Sequence, residues 1–184
     1  MKNTNALPDV LIVGCGDIGV RVAQLEKQAG RKVSGLVRSE EGAKRLLAHG
    51  IEPVMGTLDD LTSLSDLPTG GKLVYSLAPP TGGGPFDSRM RSFCQAVDAG
   101  PLPVKVVYMS TSGVYGDCGG EWVTEETLLN PQTSRAQRRV DAEATLQEWG
   151  QEHSVPVVIL RVTGIYGPGR LPLARIQQGH PVLR

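Results

Sequence analysis

The sequence has few of the residues that build covalent or metal frameworks. Its 184 residues include three cysteines and three histidines. The cysteines lie far apart and form no CxxC pair, and the histidines are equally scattered, so neither a disulfide framework nor a zinc site is indicated. These residues are Cys15, Cys94, Cys118, His49, His153 and His180. A chain without such a framework is typical of a reducing compartment, and we expect it in the cytoplasm.

Net charge and long apolar runs are also lacking. The 19 basic residues are matched by 19 acidic ones, so no global field attracts nucleic acid or an anionic membrane. No apolar run approaches the roughly 18 residues that suggest a membrane span, and the first ten residues lack the apolar core of a signal peptide. We therefore expect a soluble protein that binds neither nucleic acid nor membrane.

Six short aliphatic runs alternate with helical patterns. The runs are VLIVG (10–14), KVSGLV (32–37), EPVM (52–55), KLVYSL (72–77), VKVVYMS (104–110) and VPVVILRV (155–162). Most of them are apolar at consecutive positions, which is typical of parallel strands covered by helices on both faces. The runs therefore predict six strands that are buried on both sides.

Helical spacing separates these runs. The first predicted helix carries an inward stripe and ends before Gly30, a candidate C′ residue. The stripe consists of Ile18, Val22, Leu25 and Ala29. Further helices are predicted at 40–49, at 85–98 with Phe86, Met90, Phe93 and Val97 inward, and at 135–149 with Val140, Ala142, Leu146 and Trp149 inward. This order predicts an α/β fold, a doubly wound parallel sheet of the Rossmann type with strand order 3-2-1-4-5-6 and helices on both faces.

Three glycines follow the first strand, in GCGDIG (14–19). This GxGxxG spacing between a strand and a helix is typical of dinucleotide binding. Gly14 permits the tight turn, Gly16 lets the backbone approach a pyrophosphate, and Gly19 allows the helix to pack closely on the strand. Asp17 and Ile18 complete this part of the candidate cofactor site. The alternative is that the glycines serve only the turn.

The residue that selects the nicotinamide cofactor is expected at the end of the second strand. Arg38 and Ser39 stand there, and an arginine can bind the 2′-phosphate of NADP. We therefore predict NADP as the cofactor. Glu40 and Glu41 keep NAD as the alternative, because a shift of one residue would place a carboxylate at the ribose. A second alternative makes Arg38 a solvated surface charge and Ser39 a helix cap.

Two later stretches carry a family resemblance. The fifth strand ends in MSTSGVYGD (109–117) and the sixth in LRVTGIYGPGR (160–170). With GCGDIG, and APP after the fourth strand, they resemble the extended short-chain dehydrogenase/reductases, the group of nucleotide-sugar epimerases and dehydratases. We add Leu58, Ala78 and Pro79 to the cofactor-binding candidates.

The resemblance also implies catalytic residues. A serine or threonine at the position of Thr111 hydrogen-bonds the substrate hydroxyl or carbonyl in that family, and Ser110 and Ser112 stand beside it. A hydroxyl both donates and accepts, which suits a group that alternates between alcohol and ketone. The alternative is that these side chains only satisfy backbone groups at the strand end.

The tyrosine and lysine that act as the family's base are absent. If Glu143 is the acidic residue that follows them, Arg139 stands at the lysine position and Arg135 at the tyrosine position. An arginine stays charged and takes no proton, although Arg139 can hold the cofactor. The departure, with NPQT at 130–133, resembles an atypical subgroup of the family. The alternative is that both arginines, with Arg138, form a solvated helix face.

These observations define a first hypothesis of function. We expect a NAD(P)-binding domain over 1–184, of which 164–184 begins a substrate-binding region that is truncated or missing, and a homodimer is possible. The resemblance implies an oxidoreductase of the epimerase/dehydratase kind, acting on a sugar nucleotide or a similar alcohol or ketone. The alternative is a non-catalytic NAD(P)-binding sensor or scaffold, because the tyrosine and lysine are missing.

Overall fold

The computed structural model describes residues 7–167, 171, 173 and 177–179. Within these residues, six parallel strands form one sheet in the order β3-β2-β1-β4-β5-β6, and the predicted α/β fold and strand order are confirmed. The strands are β1 (Val10–Val13), β2 (Val33–Val37), β3 (Glu52–Met55), β4 (Leu73–Ser76), β5 (Lys105–Thr111) and β6 (Val157–Val162). The helices are α1 (Asp17–Gln28), α2 (Glu40–Ala48), α3 (Ser88–Asp98) and α4 (Ser134–Glu152), with 3-10 turns at Leu61–Leu64 and Ser112–Tyr115.

Strand β1 is the centre of the sheet. Its first residue, Val10, pairs with Val33 of β2 on one side and with Leu73 of β4 on the other. The chain leaves β1 in one direction through β2 and β3, and in the other through β4, β5 and β6. In such a sheet the crevice that takes a ligand lies outside the carboxyl ends of the strands at this reversal.

The core lies on both faces of the sheet. Helices α3 and α4 cover one face through Phe93, Leu146 and Trp149, and α1 and α2 cover the other through Ala23 and Leu46. All four residues of β1 are fully buried. None of the described helices is both long enough and apolar enough to cross a membrane.

The prediction that the strands are buried on both faces is right for β1 and β2 and wrong for the outer strands. Met55 of β3 is 52% exposed, and Val158 and Leu160 of β6 are 39% and 45% exposed. Strands β3 and β6 are the edges of the described sheet, where each has one partner strand. An aliphatic run therefore identified these strands without revealing their place at the edges.

The predicted inward stripe of α1 is right only in its first half, because Ile18 and Val22 are partly buried and pack against the core. Gly19 and Ala23 are its buried residues, whereas Leu25 is 66% exposed and Ala29 is exposed too. A Cβ atom at Gly19 would lie 3.2 Å from Cγ2 of Ile12. The helix thus approaches the sheet most closely at its smallest residues, and Ile18 and Val22 pack beside them. The predicted stop is correct, because Gly30 follows the last turn with φ of +85°.

The start of α3 also differs from the prediction. Phe86 lies before the helix and is 65% exposed. The helix begins at Ser88, because the buried carboxylate of Asp87 accepts hydrogen bonds from the backbone N–H groups of Arg89 and Met90 at 3.0 and 3.3 Å. In α4, Ala142, Leu146 and Trp149 are buried as predicted, and Val140 is partly buried.

Candidate functional site

A cavity of about 590 Å³ opens at the carboxyl ends of β1, β2 and β4. We call it the first cavity. All eleven predicted cofactor-binding residues line it, although they come from distant parts of the chain. They are Gly14, Gly16, Asp17, Ile18, Gly19, Arg38, Ser39, Leu58, Ala78, Pro79 and Arg139.

The glycine loop forms the floor of the first cavity. Gly14 has φ of +93°, and a Cβ there would lie 2.4 Å from the backbone nitrogen of Ala78, so the position requires glycine. At Gly16 a Cβ would meet no atom within 4 Å. The loop therefore packs tightly against the end of β4 at one glycine and is open at the next.

The open glycine also begins α1. Gly16 is the N-cap of this helix, and no side chain caps it. The backbone N–H groups of a first helical turn attract anions, and the helix dipole adds a partial positive charge. The carboxylate of Asp17 pairs with Arg21, four residues along, at 3.4 Å. An open glycine and an uncapped helix start fit the pyrophosphate of a dinucleotide.

The end of β2 forms the far wall of the first cavity. Arg38 is exposed there, and the hydroxyl of Ser39 accepts a hydrogen bond from the Gly42 N–H at 3.2 Å, so Ser39 caps α2 as the alternative interpretation held. Glu40 belongs to the first turn of α2. Arg38 and Ser39 line the cavity, whereas the lining includes neither Glu40 nor the residue after it.

An ion pair in this wall was not predicted from the sequence. Arg89 donates hydrogen bonds to both carboxylate oxygens of Asp59, at 2.7 and 2.6 Å, and a third to the carbonyl oxygen of Pro79 at 3.0 Å. The hydrogen bonds from Arg89 hold the pKa of Asp59 below its usual range. A further arginine, Arg45, donates to the carbonyl oxygen of Cys15 at 2.8 Å. These arginines therefore fix the loops around the cavity.

A second cavity, of about 430 Å³, adjoins the first between the ends of β5 and β6 and the start of α4. The three predicted catalytic residues, Ser110, Thr111 and Ser112, all line it. Its other polar lining side chains are Thr133, Thr163, Arg135 and Arg139. Both arginines also line the first cavity, so they stand where the two cavities meet.

The three hydroxyls differ in how they are engaged. Ser110 is buried and donates a hydrogen bond to the carboxylate of Glu143. Thr111 is partly buried, and its Oγ1 accepts a hydrogen bond from the Gly113 N–H at 3.2 Å. Its O–H has no acceptor among the described residues, so Thr111 retains a donor and an acceptor lone pair for a ligand.

A buried glutamate of α4, Glu143, binds the end of β5 through the hydrogen bond from Ser110. Glu143 of α4 is 2% exposed, and Nη2 of Arg161 donates to its Oε2 at 2.8 Å. Nη1 of Arg161 donates to the hydroxyl of Tyr115 at 2.9 Å, and the guanidinium lies over the Tyr115 ring. The hydrogen bond to Glu143 raises the pKa of Arg161 further above its usual value. The sequence marked Glu143 through the family pattern, but not its partner.

Arg139 occupies the predicted lysine position and is 6% exposed. Its Nη1 donates to the Tyr108 hydroxyl at 2.8 Å and to the Met109 carbonyl oxygen at 3.0 Å, and its guanidinium lies over the Tyr108 ring. Its buried Nε has no hydrogen-bond partner among the described residues. The solvated helix face is therefore wrong for Arg139, whereas Arg135 is exposed.

Part of the last predicted motif lies outside the described residues. The structure describes 164–167 of the GIYGPGR stretch, where Ile165 lines both cavities and Tyr166 is 82% exposed. Pro168, Gly169 and Arg170 lie outside the described residues, as does most of the segment from 172 to 184.

Comparison with known proteins gives concordant matches. The profile of the NAD dependent epimerase/dehydratase family matches residues 10–180. The chain is 33% identical over 178 residues to Protein YeeZ of Escherichia coli, an alignment that covers 89% of this chain and 61% of that protein. The chain thus spans about three fifths of the length of this curated relative.

Two solved structures resemble this one over most of the chain. A short-chain dehydrogenase/reductase superfamily protein from Agrobacterium tumefaciens with bound NAD is 25% identical, with a TM-score of 0.65, over 83% of this chain and 48% of that one. The UDP-glucuronic acid 4-epimerase of Bacillus cereus in complex with NAD is 21% identical, with a TM-score of 0.71, over 94% of this chain and 64% of that one. At 21% identity, the likeness to the Bacillus cereus epimerase shows a shared fold alone.

Proposed function

Because the chain belongs to the NAD-dependent epimerase/dehydratase family, we propose that its first cavity binds a nicotinamide dinucleotide and prefers NADP(H) to NAD(H). The observation that carries this proposal is the glycine loop, where Gly16 is open and begins α1 without a capping side chain. The NAD held by the Agrobacterium tumefaciens protein supports it.

The preference for NADP(H) rests on the end of β2. Arg38 is exposed at this end and lines the cavity, and its guanidinium would lie beside the adenosine ribose of a dinucleotide bound as is usual for this fold. The lining includes neither Glu40 nor Glu41, which would favour the free 2′-hydroxyl of NAD. A guanidinium pairs well with a phosphate through charge-assisted hydrogen bonds.

The second cavity would hold the group that reacts. A bound nicotinamide supplies or accepts hydride, and the protein orients the substrate against it. Thr111 would hydrogen-bond the reacting alcohol or ketone, with Ser110 and Ser112 beside it, because Thr111 keeps a free donor and an acceptor lone pair there. We propose a sugar nucleotide or a similar alcohol or ketone as substrate, which the likeness to the Bacillus cereus epimerase supports only at the level of the fold.

A non-catalytic NAD(P)-binding sensor or scaffold is the second candidate function. Arg135 and Arg139 stand where the family has its tyrosine and lysine, and neither arginine can take a proton at neutral pH. In this alternative, the bound dinucleotide shapes a surface for a partner. For both candidates we propose that residues 1–184 form the NAD(P)-binding unit, with 164–184 beginning a substrate-binding region, in a cytoplasmic protein that can form a homodimer.

Calorimetry on the nucleotide-stripped chain tests the cofactor proposal. We expect NADPH to bind in the micromolar range and more tightly than NADH. Arg38→Ala should reduce this preference about tenfold, or roughly 1.4 kcal/mol. Lys44→Ala is the control, because Lys44 is an exposed cation of α2 outside the cavity lining. If none of NADPH, NADP, NADH and NAD binds, the proposal is wrong.

Turnover separates the enzyme from the sensor. The chain with bound NADP is incubated with UDP-sugars, and the sugar products are separated by chromatography and identified by NMR, because an epimerase or dehydratase returns the hydride and leaves no net reduction of the cofactor. An enzyme should form a new sugar product, and this turnover should be lost in Thr111→Val and partly retained in Thr111→Ser, which keeps the hydroxyl. Tight cofactor binding with neither a new sugar product nor reduction of the cofactor supports the sensor.

A further inference from the structure

The second cavity is lined by positively charged side chains and by hydroxyl groups. Its lining contains the guanidinium groups of Arg135 and Arg139 and the hydroxyls of three threonines and two serines, but no aspartate or glutamate. We propose that this cavity binds an oxyanionic group of the substrate, a carboxylate or a phosphate. The inference rests on the proposed function, because the group would belong to the molecule that reacts beside the dinucleotide.

Arg139 is the buried half of this site. It is 6% exposed, and its Nη1 is held by the Tyr108 hydroxyl and the Met109 carbonyl oxygen. Both of these groups are uncharged acceptors. The buried carboxylate of Asp87 interacts with Arg139 electrostatically, but no described carboxylate forms an ion pair with it. Its buried Nε lacks a partner among the described residues. A buried guanidinium without an ion pair is costly, and an anion in the cavity would balance its charge.

Arg135 is the exposed half. It lies one helical turn before Arg139, so both side chains are on the same face of α4. Arg135 makes no ion pair with any described residue and lines both cavities. Its exposed guanidinium can therefore contact the solvent side of a ligand whose buried side contacts Arg139.

The start of α4 adds to the same charge. Helix α4 runs for 19 residues from Ser134, and its cap residue Thr133 lines the cavity. The Oγ1 of Thr133 accepts the hydrogen bond of the Ala136 N–H, at 3.1 Å. The partial positive end of the helix therefore faces the cavity near both arginines.

Two buried acids lie outside this cavity and are engaged by other groups. Asp87 interacts electrostatically with Arg139, but its carboxylate accepts hydrogen bonds from two backbone N–H groups of α3 and does not line the cavity. Glu143 lies on the same helix as Arg139, but its carboxylate is bound by Arg161 and by the hydroxyl of Ser110. Glu143 is 2% exposed and does not line the cavity. The cavity therefore keeps a net positive charge, and it should select acidic or phosphorylated substrates over neutral ones.

Ligand-observed NMR titrations of the chain saturated with NADPH test this inference. The probes are glucose, glucuronate and glucose 1-phosphate, which share a sugar ring and differ in charge. We expect at least one of the two anions to bind tenfold or more tightly than glucose. Which anion binds better distinguishes a carboxylate site from a phosphate site.

Variants assign the binding to the cavity. Arg135→Gln should remove the preference for the anion, and Arg135→Lys should keep part of it. Arg138→Gln is the matched control, because Arg138 lies on the same helix, donates to the Gly84 carbonyl oxygen and lines neither cavity. Equal binding of glucose and both anions, or an equal loss in Arg138→Gln, overturns the inference.

Calorimetry with NADPH on each variant separates the two proposals. If NADPH binds and neither anion is preferred, the inference alone is wrong. If NADPH does not bind, the titrations are repeated without nucleotide, and an anion preference that Arg135→Gln removes supports the inference while the cofactor proposal is wrong.

Discussion

Arg161 of β6 and Glu143 of α4 form a buried ion pair, with Nε and Nη2 of the arginine donating to Oε2 of the glutamate at 3.1 and 2.8 Å. The pair joins the edge strand of the described sheet to the helix that carries Arg135 and Arg139. It lies beneath the second cavity, where the same carboxylate accepts the hydrogen bond of Ser110. The walls of that cavity therefore depend on one buried acid.

Breaking this pair should destabilise the protein strongly. Glu143→Gln leaves the charge of Arg161 in a largely buried place, and loss of one partner of a buried pair costs about 3 to 5 kcal/mol. We expect the lower end, because the Arg161 side chain is 19% exposed. Urea unfolding measures the loss. Glu148→Gln, at an exposed position of α4, is the control, and a loss below about 1 kcal/mol in Glu143→Gln contradicts the prediction.

Two glycines of the same loop should respond differently to alanine. Gly14→Ala forces a Cβ to 2.4 Å from Ala78 N at φ of +93°, so we expect a loss of about 2 kcal/mol or more in unfolding free energy. Gly16→Ala meets no atom, so it should cost only about 1 kcal/mol or less in stability, the amount by which alanine is worse than glycine at a helix N-cap. Its affinity for NADPH should still fall tenfold or more, because the methyl group enters the space that a pyrophosphate would take.

Gly100→Ala is the control for this pair, since its Cβ meets no atom within 4 Å and it lies outside the cavity lining. Urea unfolding and calorimetry with NADPH are run on all three variants. A Gly16→Ala variant that binds NADPH as the wild type does would contradict the proposed place of the pyrophosphate.

Acid should weaken the contact between α3 and α4. Asp141 accepts hydrogen bonds from Arg91 at 2.6 and 2.8 Å, and these hold its pKa below the usual 3.8. A lowered pKa contributes stability that is fully present above the ordinary value and is lost as pH falls through the native one. Wild type should therefore exceed Asp141→Asn by about 1 kcal/mol at pH 6, and the difference should shrink below about pH 4.

Urea unfolding between pH 3 and 6 measures this difference, and Asp66→Asn, at an exposed position, is the control. A difference that grows as pH falls would show that the sign is wrong.

The three cysteines should differ in reactivity. Burial raises the pKa of the Cys15 thiol to about 11 and that of Cys94 to about 12, so neither forms much thiolate at pH 8. Cys118 is partly exposed and should be alkylated first by iodoacetamide. Peptide mass spectrometry follows each site, with the urea-unfolded chain as reference. Equal rates at Cys15 and Cys118 in the folded chain contradict the prediction.

The strand order was predictable because each strand is a short aliphatic run and four of the five connections have helical spacing. The ends of α1 and α2 were predictable too, because Gly30 has the positive φ of a C′ residue and Ser39 caps the second helix. These signals lie within a few residues of the feature that they mark. The end of α1 and the start of α2 therefore needed no knowledge of distant contacts.

The rest depends on contacts that a local pattern does not contain. The buried face of α1 was predicted only in part, because the close approach at Gly19 and Ala23 is decided by the sheet below the helix. The pair of Arg89 and Asp59 joins residues of separate crossovers, and neither has a neighbour that signals the other. Arginines at the start of α4 looked like a charged surface until burial separated Arg139 from its neighbours.

The pairing of β1 with β4 has a further consequence for how the chain folds. A single helical connection separates β1 from β2. The pairing of Val10 with Leu73, in contrast, closes a much longer loop that contains α1, β2, α2 and β3. Loop closure of this kind slows folding, since its entropic cost precedes the contacts that repay it. The first cavity lies at the ends of β1 and β4, where these two strands pair. We expect a dinucleotide bound there to hold the two strands together, and so to slow unfolding more than it speeds folding.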